Sequence, residues 1–202
     1  MAEVVVVGAG VGGVAVAGRL ARAGHRVTVF EKRASSGGRL SVLERDGFHF
    51  DMGPSLLLMP PVFAETYASL GERMDDQLDL VRLDPTYRVH FHDDSSLDLT
   101  GDIPRLRTAV EAIEPGSTTS LLRFIAEGSN SYYISLEHFV GRNFYSWGEY
   151  LSLANLPLLF ELKALVKHYD NVSRYFSDPR LRAAFSFQNM YLGLSPFDAP
   201  AT

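Results

Sequence analysis

The chain has 202 residues, 46% of them apolar and 21% charged, a net charge of −5 and no cysteine. That balance is ordinary globular usage and excludes a disordered polymer, and the lack of cysteine excludes disulfides and thiolate metal sites. Arg19, Arg22, Arg26, Lys32, Arg33 and Arg39 are spread over different elements, so no basic patch forms and no nucleic-acid partner is expected.

Met1-Ala2-Glu3 runs straight into the first apolar segment, so no signal or transit peptide is expected within these residues. Val4 to Val7 is expected to be a strand buried on both faces, and Gly8-Ala9-Gly10-Val11-Gly12-Gly13 the tight turn from it into a helix. Gly8 permits the turn, Gly10 lets the backbone approach a pyrophosphate, and Gly13 lets helix and strand pack closely. Phosphates then sit at a helix N-terminus, where unpaired N–H groups favour negative charge. Val14, Ala17, Leu20 and Ala21 recur at helical spacing and Gly24 is placed to end the helix. Val27 and Val29 alternate with Thr28 and Phe30 in a second strand, closed by Glu31, whose carboxylate suits ribose hydroxyls. Strand, turn, helix and acid occur together, which is the context a dinucleotide site requires.

Pro60-Pro61 opens a helix through Val62, Phe63, Tyr67 and Leu70, ended by Gly71. Leu83 to His92 reads as a strand, with Tyr87, Val89 and Phe91 on one face, and a turn at residues 93–96 leads to a partner strand at Leu97 to Leu99. From Asp102 the chain reads as mainly helical. Asp102 caps a helix carrying Leu106, Val110 and Ile113, and Ser117 or Thr118 caps the next, with Leu121, Leu122 and Ile125 on one face. Residues 151–166 are apolar but interrupted by Pro157, Glu161 and Lys163, too short and broken to span a bilayer. They read either as an amphipathic helix in a membrane interface, with Leu158, Leu159, Leu162, Leu165 and Val166 on one side, or as a core helix.

Beyond Glu31 comes Gly37-Gly38-Arg39, and with the glycine turn it resembles the N-terminal pattern of the flavin amine oxidase and carotenoid desaturase superfamily. Gly47-Phe48-His49-Phe50-Asp51-Met52-Gly53-Pro54-Ser55, followed by Leu56 to Pro60, is similar to a stretch of bacterial and fungal phytoene desaturases. Ala184 to Phe187 and Leu192 to Pro200 look like the segment that returns toward the flavin in that family. The resemblance implies FAD, contacted by Gly8, Gly10, Gly12 and Gly13 at the pyrophosphate, Glu31 and Lys32 near the adenosine, Gly38 and Arg39 along the flavin side, and Gly53, Pro54 and Ser55 near the ring. It also implies that these residues are the N-terminal part of a longer protein, because a doubly wound flavin domain needs strands from a second half.

The expected fold is therefore α/β: a partial Rossmann-like FAD-binding βαβ domain over residues 1–80, and an inserted, mainly helical substrate domain carrying a β-hairpin over residues 81–202. The implied function is desaturation of a lipid-soluble polyene such as phytoene, with hydride passing to flavin N5 and a proton leaving the neighbouring carbon. Carotene isomerase, ketolase, retinol saturase and amine oxidase are the alternatives within the superfamily, and a non-catalytic lipid-binding remnant the alternative outside it. Such a protein is expected in the cytoplasm, peripheral to a membrane; these residues do not name its electron acceptor.

Glu149, within the aromatic and apolar stretch Phe144 to Leu153, is the candidate for assisting charge movement, against the plainer role of a helix-start carboxylate. Tyr132, Tyr133, Phe139, Phe144, Tyr145 and Trp147 are candidates for a polyene tunnel or simply for core. His90 and His92 before Asp93-Asp94 read as a solvated hairpin face rather than a metal site, and no metal is expected.

Overall fold

A computed structural model describes residues 1–54 and 56–201. β1 (Glu3–Val7) and β2 (Arg26–Phe30) pair in parallel, Val4 opposite Val27 and Val6 opposite Val29, with α1 (Val11–Arg22) as the crossover. α1 stops as expected, with Gly24 at φ +86 and its N–H bonded to the Ala21 carbonyl.

β1 is not buried on both faces. Val4 and Val6 are half-buried, Val6 within reach of the α1 backbone at Gly13, whereas Val5 and Val7 are 62% and 86% exposed. The reason is the size of the sheet. It has two strands, and among the described residues of 1–82 nothing forms a layer over its second face. A run of valines marks a strand with two apolar faces but does not supply the element that covers each.

β3 (Val42–Arg45) and β4 (Phe48–Asp51) form an antiparallel hairpin that the sequence reading does not anticipate. Asp46 and Gly47 make its two-residue turn with φ of 52° and 82°, the left-handed pair that matches the twist of the flanking strands. α2 (Pro60–Leu70) begins on its two prolines and ends at Gly71, φ +83, as expected. The short α3 (Met74–Gln77) follows, and Arg82 closes the first of two compact units, Met1–Arg82 and Leu83–Thr202.

The second unit opens with the hairpin β5 (Tyr87–His90) and β6 (Ser96–Leu99), Tyr87 opposite Leu99. Residues 83–86, 91 and 92, expected within the strand, fall outside β5; Pro85 has no N–H to give a ladder. α4 (Ile103–Ile113) is capped by Asp102, whose carboxylate accepts the Arg105 N–H at 3.0 Å. α5 (Thr118–Ser135) runs on into a π-turn at Leu136–Val140. Its inward face is Leu121, Phe124 and Ile125; Leu122 is 48% exposed, a correction to the expected stripe. Positions i, i+3 and i+4 share a helix face, and i+1 does not.

α6 (Trp147–Tyr150) and α7 (Leu156–Glu161) are short helices of four and six residues. Residues 151–166 are thus not one amphipathic helix: Pro157 sits in the first turn of α7, and Lys163 at φ +57 ends it. The expected apolar stripe is divided, Leu162 buried and Leu165 exposed. α8 (His168–Val172), α9 (Pro179–Ser186) and a 3₁₀ segment at Phe187–Leu192 complete the unit. Its core joins Leu97, Leu106, Val110, Leu121, Val172, Phe176 and Leu181, with Phe176 stacked on Phe185 at 4.7 Å. Among the described residues no helix is long and apolar enough to cross a membrane.

Candidate cofactor site

The site is assembled around the loop between β1 and α1. Gly8 has φ +99, a conformation costly for any residue with a Cβ, and its N–H bonds the Phe30 carbonyl at 2.7 Å. A Cβ on Gly13 would collide with the Gly8 carbonyl oxygen, so that glycine is required for helix and turn to meet. Gly10 and Gly12 differ: a Cβ on either would meet nothing within 4 Å. Gly10 is the N-cap of α1 and offers no side chain to the first-turn N–H groups, which have no intrahelical acceptor. The helix start is thus an open cradle of N–H donors beside bare backbone, suited to an anion.

Ala9 joins this cradle to the other two motifs. Its N–H donates to Glu31 Oε2 at 2.7 Å, and its carbonyl accepts the Gly37 N–H at 2.8 Å. Gly37 lies in a parallel bridge with Gly10, and the position of a Cβ on Gly38 is 3.3 Å from Gly10 Cα. Glu31 Oε1 also accepts the Arg33 N–H at 2.9 Å. The Ala9 N–H first, and the Arg33 N–H next, hold the Glu31 carboxyl below its ordinary value of 4.5. It is therefore an acceptor-only group at neutral pH, with lone pairs remaining for hydroxyl donors.

Gly53 belongs to the same assembly: a Cβ there would strike the Arg39 carbonyl, and the neighbouring Met52 N–H bonds the Ser41 carbonyl at 2.9 Å. The β3–β4 hairpin thus returns Gly53 to the Gly37-Gly38-Arg39 turn. Lys32, Arg39 and Pro54 are exposed nearby in sequence, and Ser55 lies outside the described residues. Sequence reasoning passed over Ala9, both of whose backbone groups are used, and Gly37. Ala9 carries no signal a sequence could show, whereas Gly37, at φ +108, stood beside a chosen residue.

Glu149 lies in the second unit. It is exposed at the first turn of α6, where its N–H bonds Ser146 Oγ at 3.3 Å and its Oε2 accepts the Tyr145 N–H at 3.0 Å. That is a capping arrangement at the start of α6. Phe139, Phe144, Tyr150 and Trp147 make a chain of aromatic contacts beside it, while Tyr145 and Trp147 remain exposed. Among the described residues no group of three or more His, Cys, Asp or Glu could hold a metal.

The family model for flavin containing amine oxidoreductases matches residues 11–201. A zeta-carotene-forming phytoene desaturase of Myxococcus xanthus is 49% identical over 98% of this chain and 38% of its own length. A phytoene desaturase of Phycomyces blakesleeanus is 40% identical over 98% of this chain and 34% of its own. A 4,4'-diapophytoene desaturase of Staphylococcus haemolyticus is 34% identical, with 98% and 40% covered. The chain thus spans between a third and two-fifths of the length of these relatives. An oxidoreductase of Methanosarcina mazei shares the fold at TM-score 0.61 and 21% identity, over all of this chain and 41% of that one.

Proposed function

Because the chain belongs to the flavin-containing amine oxidoreductase family, we propose that it is the N-terminal, FAD-holding part of a carotenoid desaturase that takes a phytoene-like polyene. The observation that carries this reading is Ala9, bonded through its N–H to Glu31 and through its carbonyl to Gly37. It fixes the pyrophosphate cradle, the ribose carboxylate and the Gly-Gly-Arg turn in one small assembly. The residues fit a flavin dinucleotide: open glycines at the start of α1 for the phosphates, an ionised Glu31 for the adenosine ribose, and the 37–39 and 53–54 turns beyond.

When bound, FAD accepts the hydride equivalent removed from the polyene. The chain's part is to bind and orient. The α1 start neutralises phosphate charge, Glu31 accepts ribose hydroxyls, and Arg39 supplies a permanent cation. Glu149 is assigned no step, since its carboxylate serves the α6 start. The second unit, with its hairpin and helices, is the substrate domain in this reading. The M. xanthus and P. blakesleeanus relatives, whose names carry phytoene, favour the polyene over an amine. A peripheral membrane surface belongs to the proposal as well, supported by Tyr145, Trp147, Leu153, Phe160 and Leu165, all exposed on the second unit.

Two experiments test it. Glu31→Ala is expected to weaken FAD binding about tenfold or more, the loss of roughly 1.4 kcal/mol or more, read from flavin fluorescence. Unchanged flavin retention would sink the cofactor assignment. Replacing the matched segment of the M. xanthus relative by residues 1–201, in cells that accumulate phytoene, is expected to restore coloured products on chromatography. Unaltered phytoene alongside bound FAD would count against the polyene.

A further inference from the structure

We propose that Asp46 is a site of spontaneous covalent modification, conversion of its peptide link to the β-linked isoaspartyl form, and that this conversion loosens the flavin side of the cofactor site. Asp46-Gly47 is the one Asp-Gly pair of the sequence, and it forms the two-residue turn of the β3–β4 hairpin. That turn leaves both reacting groups available. The Asp46 side chain is 83% exposed, and its charge partner, Arg45 Nε at 3.5 Å, is nearly as exposed, a contact too weak to hold the carboxylate away. Among the described residues nothing accepts the Gly47 N–H, and glycine has no Cβ to obstruct an approach to its nitrogen.

Several other aspartates lack the free N–H. The N–H after Asp51 bonds the Ser41 carbonyl at 2.9 Å, that after Asp198 bonds the Ser195 carbonyl at 2.8 Å, and Asp84 and Asp178 precede prolines, which have none. The hairpin also has little to hold its tip closed. β3 and β4 form a sheet of two strands in which every residue is exposed, and such a pair is marginal alone and opens locally. Opening lets the Gly47 nitrogen reach Asp46 Cγ.

In the reaction that nitrogen forms a bond to Cγ while the carboxyl hydroxyl leaves with the amide proton as water, closing a cyclic imide. Water then opens the ring at the Asp46 main-chain carbonyl. The chain now runs through Cβ and Cγ, and the α-carboxylate hangs free. No electrons are transferred and no mass is gained or lost.

The product carries one more backbone carbon in a turn closed by the Arg45 and Phe48 pair, and a two-residue turn has no slack for it. Only four residue pairs separate the turn from the site, ending at Val42 and Asp51. Directly beyond them the Met52 N–H bonds Ser41 and the Gly53 backbone abuts the Arg39 carbonyl. A displaced β4 therefore moves Gly53 away from the Gly37-Gly38-Arg39 turn. The consequence for flavin rests on the cofactor reading above; the rearrangement itself does not.

The flavin-loaded protein is held warm at neutral pH for days and sampled. A protease that cuts before aspartate reads the Arg45-Asp46 bond, which an isoaspartyl link makes resistant, and flavin fluorescence reads affinity in the same samples. A growing resistant fraction is expected, with FAD affinity in that fraction weakened about fivefold or more. Asp46→Asn suits the left-handed turn and closes the same imide by loss of ammonia, so its samples are expected to gain isoaspartate, read by an isoaspartyl methyltransferase, several-fold faster. Asp46→Glu, whose carboxyl lies one carbon further out, is expected to gain none and to keep its flavin throughout. No isoaspartate in either the parent or Asp46→Asn, modified protein that binds FAD as fresh protein does, or equal flavin loss from Asp46→Glu would each overturn the proposal. Fresh protein supplies the starting affinity in every series, so this result and that of Glu31→Ala succeed or fail separately.

Discussion

In residues 83–202, Leu97, Val110, Leu121, Val172, Phe176 and Leu181 meet in a core closed to water; in residues 1–82, Val5, Val7, Val14, Val29 and Phe30 lie open. Both units hold apolar residues in regular elements. The difference lies in the number of layers: hairpin, α4, α5 and α9 enclose the core of the second unit, while α1 covers only one face of a two-stranded sheet. Local rules shape an element, and only a second layer turns its apolar face into stability. Among the described apolar residues of the first unit, Ala9 and Met74 alone are buried, and Ala9 belongs to the site. The first unit therefore invests its order in a backbone cradle rather than in a core.

The sharpest way to break this comparison is a matched pair of truncations. Phe176→Ala, at a side chain 1% exposed, is expected to cost about 3–5 kcal/mol, whereas Val7→Ala, on the open face, is expected to cost under about 0.5 kcal/mol. Urea unfolding followed by circular dichroism measures both, and equal costs would abolish the distinction. A smaller effect is expected from glycine itself. Gly13→Ala drives a Cβ into the Gly8 carbonyl and is expected to cost about 1–3 kcal/mol and to release flavin, while Gly12→Ala meets open space and is expected to leave the apo fold intact. Comparative flavin retention and melting of the two variants checks this. The smallest effect is electrostatic and confined to the second unit. The Arg88 guanidinium holds the Asp98 carboxyl, and Arg180 that of Asp178, below the usual aspartate value of 3.8. Both contributions are present above that value and are lost as pH falls through the lower folded values. Melting of the second unit is expected to be flat from neutrality down to about pH 4 and to decline below it.

The βαβ unit was legible because each step in it is local. Four valines, a glycine turn and Glu31 determine their own geometry, as do the prolines and Gly71 around α2 and the Asp102 cap of α4. The β3–β4 hairpin is equally local, an Asp46-Gly47 turn between short apolar runs, but its residues stand out in the sequence as a family motif rather than as strands. Residues 151–166 failed for a different reason. Leucine spacing suggested a helix, but Lys163 leaves the helical region for partners on α5 and α8, and no neighbouring residue announces that. In the site, the adjacency of Gly10 with Gly37 was hidden because it depends on Ala9, whose contribution is entirely backbone.

The open valine face also bears on the order of events during synthesis. The ribosome delivers β1, α1 and β2 ahead of the second unit, yet among the described residues of 1–82 nothing sequesters Val5 and Val7. The later segment, with its own enclosed interior, can collapse without them. The valine strand, with an open face and an unpaired edge, is therefore exposed to association with other chains.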